Sequence, residues 1–126
     1  MSKFRLADYL DHLKEAAALA LSYVEGMTEA DFMDDQRTQQ AVLMNLIILG
    51  ETATRIHQKY GSFVEKHQEI PWRQMSAMRN RIAHGYFEIE FRIVWEILQE
   101  NAPQIVEATS TIDVDEFDVE HENKTG

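Results

Sequence analysis

An arginine, a histidine and a tyrosine lie close together in the second half of the chain, as Arg79, His84 and Tyr86. An arginine carries a permanent charge and a planar fork of donors that fits a phosphate, and a histidine can accept and donate protons near neutral pH. With these groups RNA can be cleaved without a metal ion or cofactor. A base removes the proton of the ribose 2′-OH, the oxygen attacks phosphorus, and a cation stabilises the charge on the non-bridging oxygens.

The spacing of these residues is weakly specific by itself, because arginine and histidine are common on solvated helix faces. The surrounding segments make the motif more specific. Ile-Pro-Trp stands upstream at 70–72, Ile-Val-Trp downstream at 93–95, and Leu-Gly-Glu at 49–51. With these segments, the string from Met78 to Phe87 resembles the HepT-like (DUF86) toxins of the HEPN superfamily. Their signature is Arg, four residues, His, any residue, Tyr. The resemblance covers the chain from about residue 6 to about residue 106.

The resemblance implies an all-α fold, a HEPN-type antiparallel bundle of four to five helices. It implies an RNase toxin of a type VII-like toxin-antitoxin module, in which Arg79 and His84 are catalytic. It also implies that Tyr86 is the residue to which a partner antitoxin, a nucleotidyltransferase of the MntA type, attaches AMP. Two copies of the motif are expected to meet across a homodimer interface and form one composite cleft.

Three further residues are candidates for supporting roles or RNA contacts. Asn80 precedes His84 by four residues and could orient it or contact phosphate, although a plain surface role fits nearly as well. Arg81 adds positive charge beside the motif. Glu51, next to Gly50 in the preceding long helix, is predicted to form a salt bridge with Arg79 or Arg81, or with its own neighbour one turn on, Arg55.

The geometry of an ideal helix keeps Arg79 and His84 apart, since residues five positions apart diverge by roughly 140°. We therefore expect the helix to end just after His84, so that the departing backbone can turn His84 towards the face that carries Arg79. Gly85 is predicted to close it in the left-handed conformation, which places His84 at the helix C-terminus. There the helix carbonyls favour a charged imidazolium, whereas the neighbouring arginines disfavour it.

Periodicity predicts helix along most of the chain. A first helix is expected from Leu6 to about Val24, and Thr28 to Asp31 is predicted to form a capping box. Asp34 and Asp35 can cap the start of a long helix, whose core stripe is predicted to be Val42, Leu46, Leu49, Ala53, Ile56 and Tyr60. Gly50 within this helix is expected to allow another helix to approach. Pro71 is predicted to open a third helix. A fourth is expected from 88 to 100, with Pro103 kinking or restarting the chain before a short fifth segment to about residue 108.

The long helix carries more apolar surface than one bundle interior should need, which predicts a homodimer. The residues concerned are Val42, Leu43, Leu46, Ile47 and Ile48. His12, His57, His67 and His121 show no metal-ligand spacing and there is no cysteine, so no metal site is expected.

Composition is consistent with one domain, residues 1–110, followed by an acidic, weakly ordered tail at 111–126. No apolar run reaches membrane-span length and no secretory signal is found, so a cytoplasmic protein is expected. The net charge of −10 argues against broad binding of nucleic acid, since that depends on Lys and Arg. Six carboxylates of the tail contribute to this charge: Asp113, Asp115, Glu116, Asp118, Glu120 and Glu122.

Three interpretations compete at this point. The first is an active RNase toxin. The second is a non-catalytic HEPN nucleotide-binding or adaptor domain that pairs with a nucleotidyltransferase. The third is a plain helical dimerisation module, in which the motif only packs a helix end. The intact set of Arg79, His84 and Tyr86 favours the first.

Overall fold

The fold, seen in a computed structural model that describes residues 5–112, is all-α, as predicted. Six α-helices and one 3₁₀ turn form this part of the chain, and it contains no strand. They are α1 (Leu6–Tyr23), α2 (Glu29–Met33), α3 (Gln36–Lys59), α4 (Gly61–Lys66), α5 (Trp72–His84), the 3₁₀ turn Tyr86–Glu88 and α6 (Phe91–Thr111). Residues 113–126 of the predicted acidic tail lie outside the described residues.

The long helix α3 is the centre of the bundle. It packs against both α1 and α5, and α1 packs in turn against α6. The predicted core stripe of α3 is confirmed, because every one of its members is buried. These are Val42, Leu46, Leu49, Ala53, Ile56 and Tyr60.

The starts of the two helices before the site follow the predicted capping residues. Thr28 and Asp31 form a reciprocal capping box: the Asp31 N–H donates to Thr28 Oγ1 at 3.1 Å, and the Thr28 N–H to Asp31 Oδ2 at 2.9 Å. Asp35 then caps α3 by accepting from the Thr38 N–H at 3.0 Å. This backbone hydrogen bond lowers the pKa of the Asp35 carboxyl.

The predicted restart of the chain at Pro103 is wrong, since α6 runs as one helix from Phe91 to Thr111. A proline inside a helix loses one hydrogen bond and costs about 3 kcal/mol. Here Leu98, Ala102 and Ile105 are buried on both sides of the proline, at exposures of 1% or less. Full burial of one large aliphatic side chain contributes about 1.5–3 kcal/mol, so keeping the helical stripe intact outweighs the cost. The helix also begins later than predicted, because the 3₁₀ turn precedes it.

The apolar surplus expected on α3 is smaller than predicted. Val42, Leu43 and Leu46 are buried inside the protomer, each at 3% exposure or less. Met44 is 58% exposed and Ile48 40% exposed, and Ile47 is partly buried. We call Met44, Ile47 and Ile48 the α3 apolar strip. None of the helices within residues 5–112 has the length and apolar character needed to cross a membrane.

Candidate active site

The contact between α3 and α5 passes directly through a motif residue. A Cβ placed on Gly50 would lie 2.2 Å from the Arg79 Cβ and 2.8 Å from the Met75 carbonyl oxygen. Both distances are too short for real atoms, so only glycine lets the two helices come this close. The prediction that Gly50 allows a helix to approach is confirmed. The same contact presses the base of Arg79 against α3, where the next residue, Glu51, can reach its guanidinium.

The Arg79 guanidinium is held from two sides. Its Nε donates to Glu51 Oε1 at 2.7 Å, and its Nη2 lies 2.5 Å from the same oxygen. Its Nη1 donates to Asn80 Oδ1 at 3.1 Å. The predicted salt bridge of Glu51 is therefore confirmed, with Arg79 as the partner. A guanidinium has five N–H bonds, and these contacts use one on each nitrogen, which leaves two for a phosphate.

The pair between Glu51 and Arg79 is partly open to water. The side chain of Arg79 is 33% exposed and that of Glu51 is 43% exposed. Ion pairs with this degree of exposure contribute about 0–1 kcal/mol to stability, because water screens them. The contact therefore mainly orients the guanidinium. It adds little to the stability of the bundle.

His84 is the last residue of α5, as predicted, but the helix closes in a different way. The Gly85 N–H donates to the Arg81 carbonyl at 2.9 Å, and the chain passes into the 3₁₀ turn with a bond from the Glu88 N–H to the Gly85 carbonyl. Gly85 has φ −144°, so the predicted left-handed conformation is wrong. In the described part of the chain only Gly26 has positive φ. A Cβ at Gly85 would lie 3.3 Å from the Arg81 carbonyl oxygen, so the glycine provides room for this turn.

Asn80 connects the arginine to the face of the helix that carries the histidine. Asn80 and His84 are both exposed, and residues four apart lie on the same side of a helix. Because Arg79 bonds Asn80, its guanidinium reaches the edge of that face. The structure therefore links Arg79 to Asn80 through its long side chain, and α5 ends at His84 without the left-handed cap that the sequence predicts. Arg81 is exposed and has no ion-pair partner within residues 5–112.

Tyr86 and its neighbour form an exposed aromatic pair just beyond the histidine. Tyr86 is 45% exposed, and the rings of Tyr86 and Phe87 meet edge-on at 5.7 Å between centroids. Tyr86 is therefore accessible from solvent. Phe87 is 98% exposed, and sequence analysis did not single it out. The only feature of the sequence that could have marked Phe87 is that it is an apolar residue in a short link between helices, without periodic apolar partners.

The carboxylates of the site offset part of its positive charge. Glu51 pairs with Arg79, and Glu88 and Glu90 are exposed in the segment that follows Tyr86. One protomer thus presents two arginines among three carboxylates. In the described region, no group of three or more His, Asp or Glu side chains could hold a metal ion.

Comparison of the sequence with known proteins finds a matching family. A sequence profile described as "Ribonuclease HepT-like" matches residues 13–112. The chain is 36% identical over 98 residues to "Probable ribonuclease HepT" of Thermococcus cleftensis, which covers 78% of this chain and 86% of that protein. It is 30% identical over 97 residues to "Putative RNase TTE0752" of Caldanaerobacter subterraneus, covering 77% and 84%. It is 28% identical over 118 residues to "Putative RNase MJ0127" of Methanocaldococcus jannaschii, covering 94% and 91%. No solved structure matches the chain.

Proposed function

The chain belongs to the HepT-like ribonuclease family, and from this premise we propose that it is a metal-independent RNA endonuclease. It acts as the toxin of a type VII-like toxin-antitoxin module in the cytoplasm. The observation that carries the proposal is the orientation of Arg79. Its guanidinium contacts Glu51 and Asn80, the second of which shares a helix face with His84, and these contacts leave two N–H bonds unused.

The reaction follows from these groups. His84 accepts the proton of a ribose 2′-OH, and the oxygen attacks the adjacent phosphorus. The free N–H bonds of Arg79 bind the non-bridging oxygens as their charge increases. The bond from phosphorus to the 5′ oxygen breaks, and a protonated His84, of the same or a second copy, gives that oxygen its proton. The products are a 2′,3′-cyclic phosphate and a free 5′-OH.

A homodimer would bring two copies of Arg79 to one phosphate. The α3 apolar strip and Glu51 share one side of α3, since Met44, Ile48 and Glu51 follow at spacings of four and three. A second copy that covers the strip would therefore lie beside the pair of Glu51 and Arg79. Its own Arg79 and His84 would join the same cleft. Two guanidinium groups would bind one phosphate through more charge-assisted hydrogen bonds than one group can, although the carboxylates of the site are doubled as well.

The exposed side chain of Tyr86 supports a mode of control. An MntA-type nucleotidyltransferase antitoxin would attach AMP to it, two residues from His84. The added phosphate would occupy the cleft and compete with RNA for the arginines by the same charge-assisted hydrogen bonds. Modification would thus inhibit cleavage both by size and by charge.

The test is to incubate the purified protein with total cellular RNA and to identify the ends of the fragments by sequencing. An intact mass spectrum first shows that Tyr86 carries no adduct. We expect cleavage in the presence of EDTA, with 2′,3′-cyclic phosphate ends. His84→Ala should lose about 10²–10⁴-fold in rate. Cleavage that needs a divalent ion and leaves 5′-phosphate ends would refute the mechanism, and RNA binding without cleavage would favour the adaptor interpretation.

A further inference from the structure

The groove between α3 and α5 continues beyond Arg79 and opens into a cleft. The two helices are linked first by Glu51 and Arg79, and then by the hydroxyls of Thr54 and Ser76, 3.3 Å apart. Beyond these hydroxyls α4 forms a further wall, and the cleft has a volume of about 570 Å³. Its polar lining includes His57, Gln58, Gln68, Arg73 and Ser76, with Trp72 in the wall. The cleft therefore lies in the groove of the active site but apart from Arg79.

Three polar side chains of this cleft are available to a ligand. Arg73, His57 and Gln58 are exposed, and none of the three has a hydrogen-bond or ion-pair partner within residues 5–112. Glu65 is the one carboxylate among the lining residues, and no ion pair joins it to Arg73 in that same range. The cleft thus has a permanent cation, an imidazole and an amide that face open space.

The chemistry of these groups suits a nucleotide. A guanidinium fits a phosphate with two parallel N–H bonds, and an amide offers both donors and acceptors to the edge of a base. An imidazole ring can stack on an unpaired base, which is how proteins often bind single-stranded RNA. The volume falls in the range of ordinary ligand sites, about 300–1,000 Å³.

The position of Arg73 relates the cleft to the histidine. Arg73, Asn80 and His84 are separated by seven and four residues and are all exposed, so they share one face of α5. Eleven residues of helix span about 16 Å at 1.5 Å per residue. A stacked strand rises 3.4 Å per nucleotide, so this span corresponds to about five nucleotides, or fewer for an extended strand.

We propose that this cleft is a second RNA subsite, which holds a nucleotide about five or fewer positions from the bond that is cleaved. Arg73 binds its phosphate, and His57 and Gln58 contact its base. The inference rests on the proposed ribonuclease function, and it defines which part of the substrate the enzyme grips outside the catalytic residues. RNAs too short to reach the cleft are therefore poor ligands.

The experiment measures binding to the wild-type protein of 2′-O-methyl RNAs, which cannot react through a 2′-OH. Oligomers of about 3 and about 12 nucleotides are compared at several salt concentrations, with wild type, Arg73→Ala and the control Arg37→Ala. Arg37 is exposed near the start of α3 and does not line the cleft. Arg73→Ala should weaken binding of the long oligomer about tenfold. It should also reduce the salt slope by about 0.7, the value for one phosphate contact on a single strand.

The short oligomer separates the subsite from a general effect of charge. The short oligomer cannot contact the cleft and the catalytic residues at the same time, so Arg73→Ala should weaken its binding less than that of the long oligomer. Arg37→Ala should change neither oligomer by more than about twofold. Arg73→Lys keeps the charge but loses the fork, and should restore part of the affinity. Equal losses for Arg73→Ala and Arg37→Ala would overturn the subsite while leaving the ribonuclease proposal standing. No binding of any RNA by the wild type would contradict the proposed function itself.

Discussion

Gly50 of α3 lies directly against Arg79 of α5, so closely that a Cβ on the glycine would stand 2.2 Å from the Cβ of the arginine. A contact between the two helices that only glycine allows thus involves the residue that we propose to bind phosphate. Substitutions at this point are expected to affect stability and activity together.

Gly50→Ala should destabilise the protein even though alanine is the better helix former by about 1 kcal/mol. The added methyl group meets backbone and Cβ atoms, which cannot move without separating the helices. Overpacking of this kind costs about 1–3 kcal/mol, so urea denaturation should show a lower midpoint. The matched control is Gly61→Ala at the start of α4, where a Cβ would have no neighbour within 4 Å. If both variants are as stable as the wild type, the contact does not set the distance between α3 and α5.

Glu51→Gln should reduce RNA cleavage about tenfold, the effect of losing one charge-assisted hydrogen bond, while the melting temperature shifts by only a few degrees. The amide keeps the size of the side chain but holds the Arg79 guanidinium less firmly. Cleavage rates and thermal denaturation of the same preparations test this. Glu96→Gln, at an exposed position on α6, is the control and should leave both unchanged. Glu51→Asp should recover part of the activity, and wild-type activity in Glu51→Gln would show that Arg79 needs no support from α3.

Ile48→Glu should convert a dimer into a monomer and reduce cleavage with it. The substitution places a charge in the α3 apolar strip, where Ile48 is 40% exposed in the protomer, so the fold of one chain should tolerate it. Sedimentation equilibrium measures the change, and Gln99→Glu on the exposed side of α6 is the control. A wild-type protein that cleaves RNA as a stable monomer would exclude a cleft shared between two copies.

Tyr86→Phe should escape control by a cognate nucleotidyltransferase while folding normally. The change keeps the ring, including its edge contact with Phe87, and removes only the hydroxyl that would carry AMP. After co-expression, the wild type should show the mass of AMP on the peptide containing Tyr86 and should no longer cleave RNA. The variant should carry no adduct and stay active. Neutralisation of Tyr86→Phe without any adduct would mean that the antitoxin acts by binding alone.

The features that sequence analysis predicted correctly depend on local pattern or on simple packing rules. The capping residues before α2 and α3, the buried stripe of α3 and the close approach at Gly50 each follow from a few neighbouring residue types. The contact between Glu51 and Arg79 could be predicted because one glycine showed where a second helix would pack.

The features that sequence analysis missed depend on how a helix ends and on which other helices pack against it. Gly85 closes α5 through the following 3₁₀ turn, and no local pattern distinguishes this from a left-handed cap. The persistence of α6 through Pro103 depends on burial against other helices. Arg73 drew no attention because its cleft exists only once α3, α4 and α5 are assembled.

The support that α3 gives to Arg79 has a consequence for surveys of gene families. The guanidinium depends on a carboxylate 28 positions away in the chain, on a helix that the Arg-x4-His-x-Tyr string does not include. A search by that string would class a relative as competent even if positions 50 and 51 had become bulky and uncharged. Sorting active from degenerate copies therefore requires both segments to be examined together, with Gly-Glu in one helix and the motif in the next.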